Sequence, residues 1–600
     1  MRSDAKCVRG RSTKCTMTRW AEIVGSGILA AASIATLAWA GPRRSSTEFS
    51  LSPLPPGAND KTGAHTNFAG KLPIHELNEK EAVLHALNRL GFGPRPGQVE
   101  EIEKTGLENW IQQQLHPESI SDPIADARLV QFHSLGLSAM ELFDRYPPQD
   151  IAAKRLGMTV EEYRKHLREL AAPHGGMGSL PLKDQNQIVN DLAASKMIRA
   201  IYSERQLSEQ LDDFWFNHFN IFIYKDQDRW YMIPYERDTI RPRVLGKFRD
   251  LLEATAKSPA MLFYLDNSSS ADPHAFDRLK IHPVHARPGE KLPALGPRRG
   301  LNENYGRELM ELHTLGVDGG YKQEDVMEVA RAFTGWTVES PREHPAFYFD
   351  ERIHDPDPKR VLGKKIKGGG IKDGEQVLDL LAKNPRTALH ISEQLAERFV
   401  SDDPAPALVA RMAKTFEKSK GDIRAVMTTM IYSPEFWSRA AFRAKVKTPF
   451  ELVASTSRAL GADVDQPLQL SQWVARIGEP LYQCLPPDGY SDKAAAWVNT
   501  GALLNRVNFA VALTTNKVRG AQVDINSLVG ADVGANAQLA LQRVEAEFLA
   551  GQVSDTTHAT LEQEMTDPQI LGAKLDDPVT RINVSLIAGL VLGSPEFQKR

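Results

Sequence analysis

Apolar residues recurring every three to four positions, segment after segment, constrain this chain more than any other feature. Between Glu79 and Leu90, Val83, Ala86, Leu87 and Leu90 share one side of a helical wheel. Glu81, His85, Asn88 and Arg89 share the other. Gly91-Phe92-Gly93-Pro94 then stops the helix. The same spacing predicts helices over 97–115, 159–170, 184–202, 207–222, 248–265, 301–315 and 324–334, then from 374 to 432, 450 to 460, 494 to 513 and 581 to 592. Residues 347–367 break the pattern. Aromatic and β-branched residues flank His354-Asp355-Pro356-Asp357-Pro358, which predicts one small β-hairpin. The expected fold is therefore mainly α, a multi-helical domain with a single hairpin.

The ends of the pattern set the domain plan. Arg2, Lys6, Arg9, Arg11, Lys14 and Arg19 precede an apolar run that closes on Ala38-Trp39-Ala40. That is the layout of an export signal over 1–40, cut after Ala40; the alternative is an uncut membrane anchor. Residues 41–72, rich in Pro, Ser, Gly and Asn, read as a flexible tether. Residues 73–600 read as the helical domain, with a core over 77–370, helical parts over 371–515 and 581–600, and a polar insertion over 516–580. The expected location is the periplasm or the exterior. Contact with a membrane is expected only through an uncleaved N-terminus.

Charge and cysteine content remove several classes. Residues 1–40 hold six bases and two acids, so without them the net charge falls from −3 to −7. An acidic chain without a basic aromatic tract is not expected to bind nucleic acid. Only Cys484 lies beyond the signal, alongside Cys7 and Cys15 within it. This excludes a disulfide scaffold, a Cys-based zinc site and attached haem in the mature chain. His174-Gly175-Gly176 has no Gly-x-Ser-x-Gly partner, and neither a phosphate-cradling loop nor a dinucleotide fingerprint is found.

Four polar constellations remain. In 302–321, Glu308 and Glu311 are three residues apart on a helix, with Asn304 and Arg307 on the same side. Such a pair can bind a hard cation or act as acid and base. The bland alternative is a solvated face with Glu303–Arg307 and Arg307–Glu311 ion pairs. His313 falls nearly opposite Glu311 on a straight helix, so nitrogen ligands would come from elsewhere. In 212–219, His218 lies on the apolar face and Asp213 and Asn217 on another. His85 and Arg89 form the third group and His354-Asp355 the fourth. Each also has an ordinary structural reading as core, capping or turn chemistry.

These blocks together resemble one family. His85-x-Leu-Asn-Arg-x-x-Phe-Gly-Pro94, Trp215-x-Asn-His-Phe219, Leu265-Asp-Asn267, the run Asn302–Tyr321, Ala332-x-Thr-Gly-Trp336 and His354-Asp355 are similar to the exported bacterial proteins grouped as domain of unknown function 1800. The resemblance implies a bacterial source, a mainly helical domain and export, often beside a second exported family of sulfatase-like proteins. It implies no activity. One departure is Lys322, where Thr or Ser is usual and would cap the next helix.

Two functions fit these residues. The first is a metal-assisted hydrolase of an envelope or extracellular polymer. Glu308, Glu311, His313 and Arg307 would be catalytic. His85, Arg89, Asn217 and Asn304 would bind substrate. A divalent metal ion would be held by Glu308, Glu311, His218, His354 and Asp355. The second is a non-enzymatic binding or assembly protein, in which the polar residues form a buried network and Trp215, Trp230, Tyr231 and Tyr235 suit a partner.

Overall fold

The computed structural model describes residues 71–171, 184–281, 300–342, 345–530, 533, 536–567, 570–571 and 582–600. The expected signal, nearly all of the tether and the His174-Gly175-Gly176 stretch lie outside them. The chain is mainly α, as its periodicity predicts, with three two-stranded antiparallel pairs among the described residues. Among the described residues no helix is long and apolar enough to cross a membrane.

Local chemistry starts and stops the helices. Helix Glu79–Arg89 opens on a reciprocal capping box: the Asn78 side chain accepts from the Glu81 amide and Glu81 accepts from the Asn78 amide, each at 2.9 Å. Besides 494–513, which forms a 3-10 turn at Ala494–Ala496 and then helix Thr500–Thr514 capped by Asn499, three expected helices are interrupted. Residues 97–115 form Gln98–Thr105 and Leu107–Leu115, because Gly106 turns left-handed at φ +95°. Residues 248–265 break at Ser258-Pro259, where proline begins the second helix. The third, 301–315, changes its winding at Glu311. Lys322 is not replaced by another side-chain cap; Asp325 reaches back to its amide at 3.0 Å, the other half of a capping box.

One continuous apolar core runs from Leu77 to Phe597. Helices Thr500–Thr514 and Val584–Leu592 pack closely enough that a Cβ on Gly589 would lie 2.8 Å from Val511 and Thr514. Helix Ala537–Leu549 packs on the same element through Ala540, Leu541 and Val544. Part of the stretch expected to be a peripheral insertion is thus core. Alanines bury there at little cost in measured hydropathy, which hides the pattern.

The single hairpin expected over 347–367 is corrected to two. Strand β1 (Trp336–Glu339) pairs with β2 (Ala346–Phe349), placing Trp336 opposite Phe349. Strand β3 (Lys359–Val361) pairs with β4 (Lys364–Ile366) through Leu362-Gly363, both at positive φ. His354-Asp355 lies between the hairpins, at neither tip. Trp336 is fully buried, and Gly374 on helix Ile371–Ala382 lets it in: a Cβ there would stand 2.6 Å from the indole. Gly374→Ala is expected to lose about 1–3 kcal/mol by overpacking, read as a lower urea midpoint with unchanged slope.

Candidate carboxylate site and the polar residues around it

The run 302–321 forms helix Asn304–Met310 followed by a π-helical segment, Glu311–Leu315. Gly306 allows the helix to approach helix Gln323–Ala332, since a Cβ would lie 3.1 Å from its backbone. The wide turn is held by Thr314, whose hydroxyl donates to the Leu309 carbonyl five residues back at 2.7 Å. Such segments often accompany functional sites because they redirect side chains. Here the segment ends at Gly316, φ +83°, packed against His390.

The loosened turn frees carbonyls, and imidazoles occupy them. His218 Nε2 donates to the His313 carbonyl at 3.3 Å, and His390 Nε2 donates to the Leu312 carbonyl at 3.2 Å. The His218 ring centre lies 6.3 Å from those of both His313 and His390. Burial holds all three below the usual imidazole range, His313 down to about 3. The rings of His218 and His390 are thus engaged by backbone carbonyls, and His313 contributes its carbonyl to that pairing. The reading of 302–321 missed His390, which sits alone in its own helix with no motif to mark it.

Glu308 and Glu311 remain half-buried beside this cluster. Burial raises the Glu308 pKa first, and then the neighbouring Glu311 charge; Asp488 adds to it and Arg307 opposes. Glu311 accepts from the Tyr321 hydroxyl at 2.9 Å, and burial with that bond pushes the phenol up to about 12. Arg307 turns toward Glu303 and Gln323, and Asn304 is exposed, with its amide 3.5 Å from the Leu265 carbonyl. The structure therefore joins Glu308 and Glu311 and brings Asp488 and Tyr321 to them, two residues the spacing could not supply.

The other expected site residues are engaged elsewhere. Asn217 clamps Tyr490, donating to its carbonyl and accepting from its amide, both at 2.7 Å. His354 Nδ1 donates to the Thr334 carbonyl at 2.8 Å, while its Nε2 lies 3.3 Å from Asp373. Asp355 takes a forked contact from Arg331 at 2.7 and 3.2 Å. Lys359, fully buried, pairs with Asp373 at 2.6 Å. Asn267 donates to the carbonyls of Phe333 and Trp336, fixing the Thr-Gly-Trp turn. His85 Nε2 donates to the Phe436 carbonyl at 2.7 Å, and Arg89 donates to the Ala441 carbonyl. Trp215, Trp230, Tyr231 and Tyr235 are core residues rather than a partner surface, because their indole and phenol groups find internal acceptors.

Among the described residues no three His, Cys, Asp or Glu side chains converge so as to hold a metal ion. Glu308 and Glu311 offer two carboxylate ligands, a set that suits a hard cation retaining several waters. A family model described as a protein of unknown function (DUF1800) matches residues 85–599. No curated protein matches the chain, and no solved structure does.

Proposed function

The chain belongs to the DUF1800 family, which assigns it no activity, and from its own residues we propose that it is an exported hydrolase of an envelope or extracellular polymer, with Glu308 and Glu311 as its acid–base pair. The observation carrying this is the Glu308 carboxyl, held protonated to higher pH by burial and by Glu311 while remaining half-open to solvent. A carboxyl with a raised pKa beside a second carboxylate is the arrangement that can supply an acid for the leaving group and a base for water. The same pair can orient a divalent cation whose remaining ligands are water and substrate. Export rests on the basic and apolar layout of residues 1–40.

The test is a screen of exported polysaccharides and peptides with the purified full chain, followed by Glu308→Gln. Activity is expected to fall on the order of a hundredfold, with the melting temperature unchanged or raised. Bound metal is measured by elemental mass spectrometry on the wild type and on Glu308→Ala/Glu311→Ala. A near-stoichiometric ion lost in the double variant supports the metal-assisted form. Full activity in Glu308→Gln would sink the assignment.

A second reading is a non-enzymatic envelope binding or assembly protein, in which the polar signature is a structural network. Its support is specific: Asn217, Asn267, His354 and Arg89 bind backbone carbonyls, and Asp355 binds the Arg331 guanidinium. Under it, an exported sulfatase-like protein would be the partner, and replacing those residues would lower the melting temperature while Glu308→Gln changed nothing.

A further inference from the structure

Built from other residues than the carboxylate pair, a cavity of about 610 Å³ lies between six stretches of chain, two of them helix Gln98–Thr105 and the 455–459 end of helix Pro449–Ala459. The other four are helix Glu79–Arg89 with the turn after it, 442–447, the end of helix Ala537–Leu549, and 596–600. Two of these are knitted together: Val446 bridges Lys599, and the Lys447 amide donates to the Gln598 carbonyl at 2.9 Å. Leu84, Val99, Phe442 and Phe548 give the cavity an apolar side. The volume suits a small organic molecule.

Lys447 lines the cavity and is only 4% exposed. Among the described residues its Nζ has no hydrogen-bond or ion-pair partner. It stands 3.9 Å from the centre of the Phe597 ring. A buried ammonium normally carries a carboxylate with it, as Lys196 does with Asp213 at 2.7 Å and Lys359 does with Asp373. Around Lys447 the balance is reversed. Arg443, Arg600 and Arg506 oppose its charge and Glu451 alone favours it. Burial first, and these guanidinium groups second, bring the amine down to about 7. Glu451 is itself committed to Arg398 and Arg600 at 3.1 and 2.8 Å. Glu596 accepts from Ser554 and Thr557, and Arg443 is spent on the carbonyls of Leu549 and Gln552. Lys80, Lys104 and Lys599, and with them Glu100, Glu101 and Glu547, also line the cavity with no side-chain hydrogen bond or ion pair among the described residues, and His85 Nδ1 and Glu596 Oε2 are buried there without one.

We propose that this cavity is a second ligand site, in which the free amine of Lys447 takes a small carbonyl compound bearing a carboxylate or phosphate and holds it as an imine. A desolvated lysine beside other cations is the environment in which amines act as nucleophiles near neutral pH. The nitrogen lone pair adds to the carbonyl carbon. The carbinolamine then loses its oxygen as water, which takes both amine hydrogens, and a C=N bond remains. No oxidant or reductant enters. The anionic group meets the excess positive charge of Lys599 and Arg600, and the carbon skeleton lies along the apolar side.

The probe is pyridoxal 5′-phosphate, an aldehyde carrying a phosphate, added to the full chain at pH 7, reduced with borohydride and mapped by peptide mass spectrometry. An ordinary lysine is about a thousandfold less deprotonated at that pH than one titrating near 7. The adduct on Lys447 is expected to exceed that on any other lysine by at least about tenfold, a threshold set well inside that ratio. Inorganic phosphate should suppress it. Lys447→Arg, folded by circular dichroism, should lose the dominant adduct and leave the background. Labelling spread over exposed lysines with Lys447 unmodified would overturn the proposal, and that result needs only the wild-type protein. Labelling at Lys447 that phosphate does not affect would overturn the anionic part of the ligand.

Discussion

Arg398→Met is expected to destabilise the fold by about 3–5 kcal/mol, the cost of leaving buried carboxylates without their cation. Arg398 contacts Asp213 at 2.9 Å, Glu451 at 3.1 Å and Asp492 at 2.7 Å, and donates to Gln210 at 3.0 Å. These partners belong to helices Gln206–His218 and Pro449–Ala459 and to the segment around Asp492, so the guanidinium ties three distant stretches together. Methionine keeps most of the volume and removes the charge, which separates electrostatics from packing. Asp213 retains Lys196 and Glu451 retains Arg600, so the loss falls short of freeing three bare charges. The check is a urea titration of both proteins at pH 7. A shift below about 1 kcal/mol would mean that the remaining cations neutralise the cluster, in the range of a surface pair. Combining Arg398→Met with Asp213→Asn should cost less than the two changes added, because one interaction is removed in both.

Glu479→Gln is expected to act in the opposite direction and to depend on pH. Glu479 is buried, accepts from the Phe450 amide at 2.8 Å, and is pushed up to about 8 by burial first and by Asp213 next. The unfolded chain releases this proton near the ordinary glutamate value, about 4.3. Between that value and about 8 the folded state therefore holds the proton and the unfolded state does not. Stability must fall as pH rises through this window, and the full penalty is present above it. At about 1.4 kcal/mol per unit, the span is worth roughly 4–5 kcal/mol. Glutamine preserves the acceptor for Phe450 without the charge. The variant should match the wild type near pH 4 and be more stable by several kcal/mol at pH 9, measured by urea midpoints across pH. Parallel stability curves for the two proteins would show that Glu479 is not held protonated.

How far the chain could be read in advance depended on the range of the interaction involved. Helices Glu79–Arg89, Val160–Ala171 and Gln323–Ala332 follow directly from apolar spacing and capping residues, because both act within a turn or two. Gly106 and Ser258-Pro259 carry recognisable break signals, yet the periodicity on either side continues and masks them. The π-helical segments Glu311–Leu315 and Tyr235–Ile240 have no periodic signature of their own. Strand pairing is longer in range still. Ala346–Phe349 looks like the arm of a hairpin turning at 354–358, but it pairs backwards with Trp336–Glu339.

The candidate sites divide along the same line. Glu308 and Glu311 were legible as a pair because three residues on a helix set their spacing. Asp488 and Tyr321 were not, since they arrive from other turns of the chain. Lys447, Glu479 and Arg398 carry no motif, and a lysine or glutamate in sequence reads as a solvated residue. By itself, then, the amino-acid order determined the mainly α class, the family and one carboxylate pair, all consequences of local geometry and short-range spacing. Only the tertiary structure decided which polar groups are deprived of water and which partners they find there. Desolvation is the sum over everything packed around a group, and for Lys447 that includes residues from both ends of the domain.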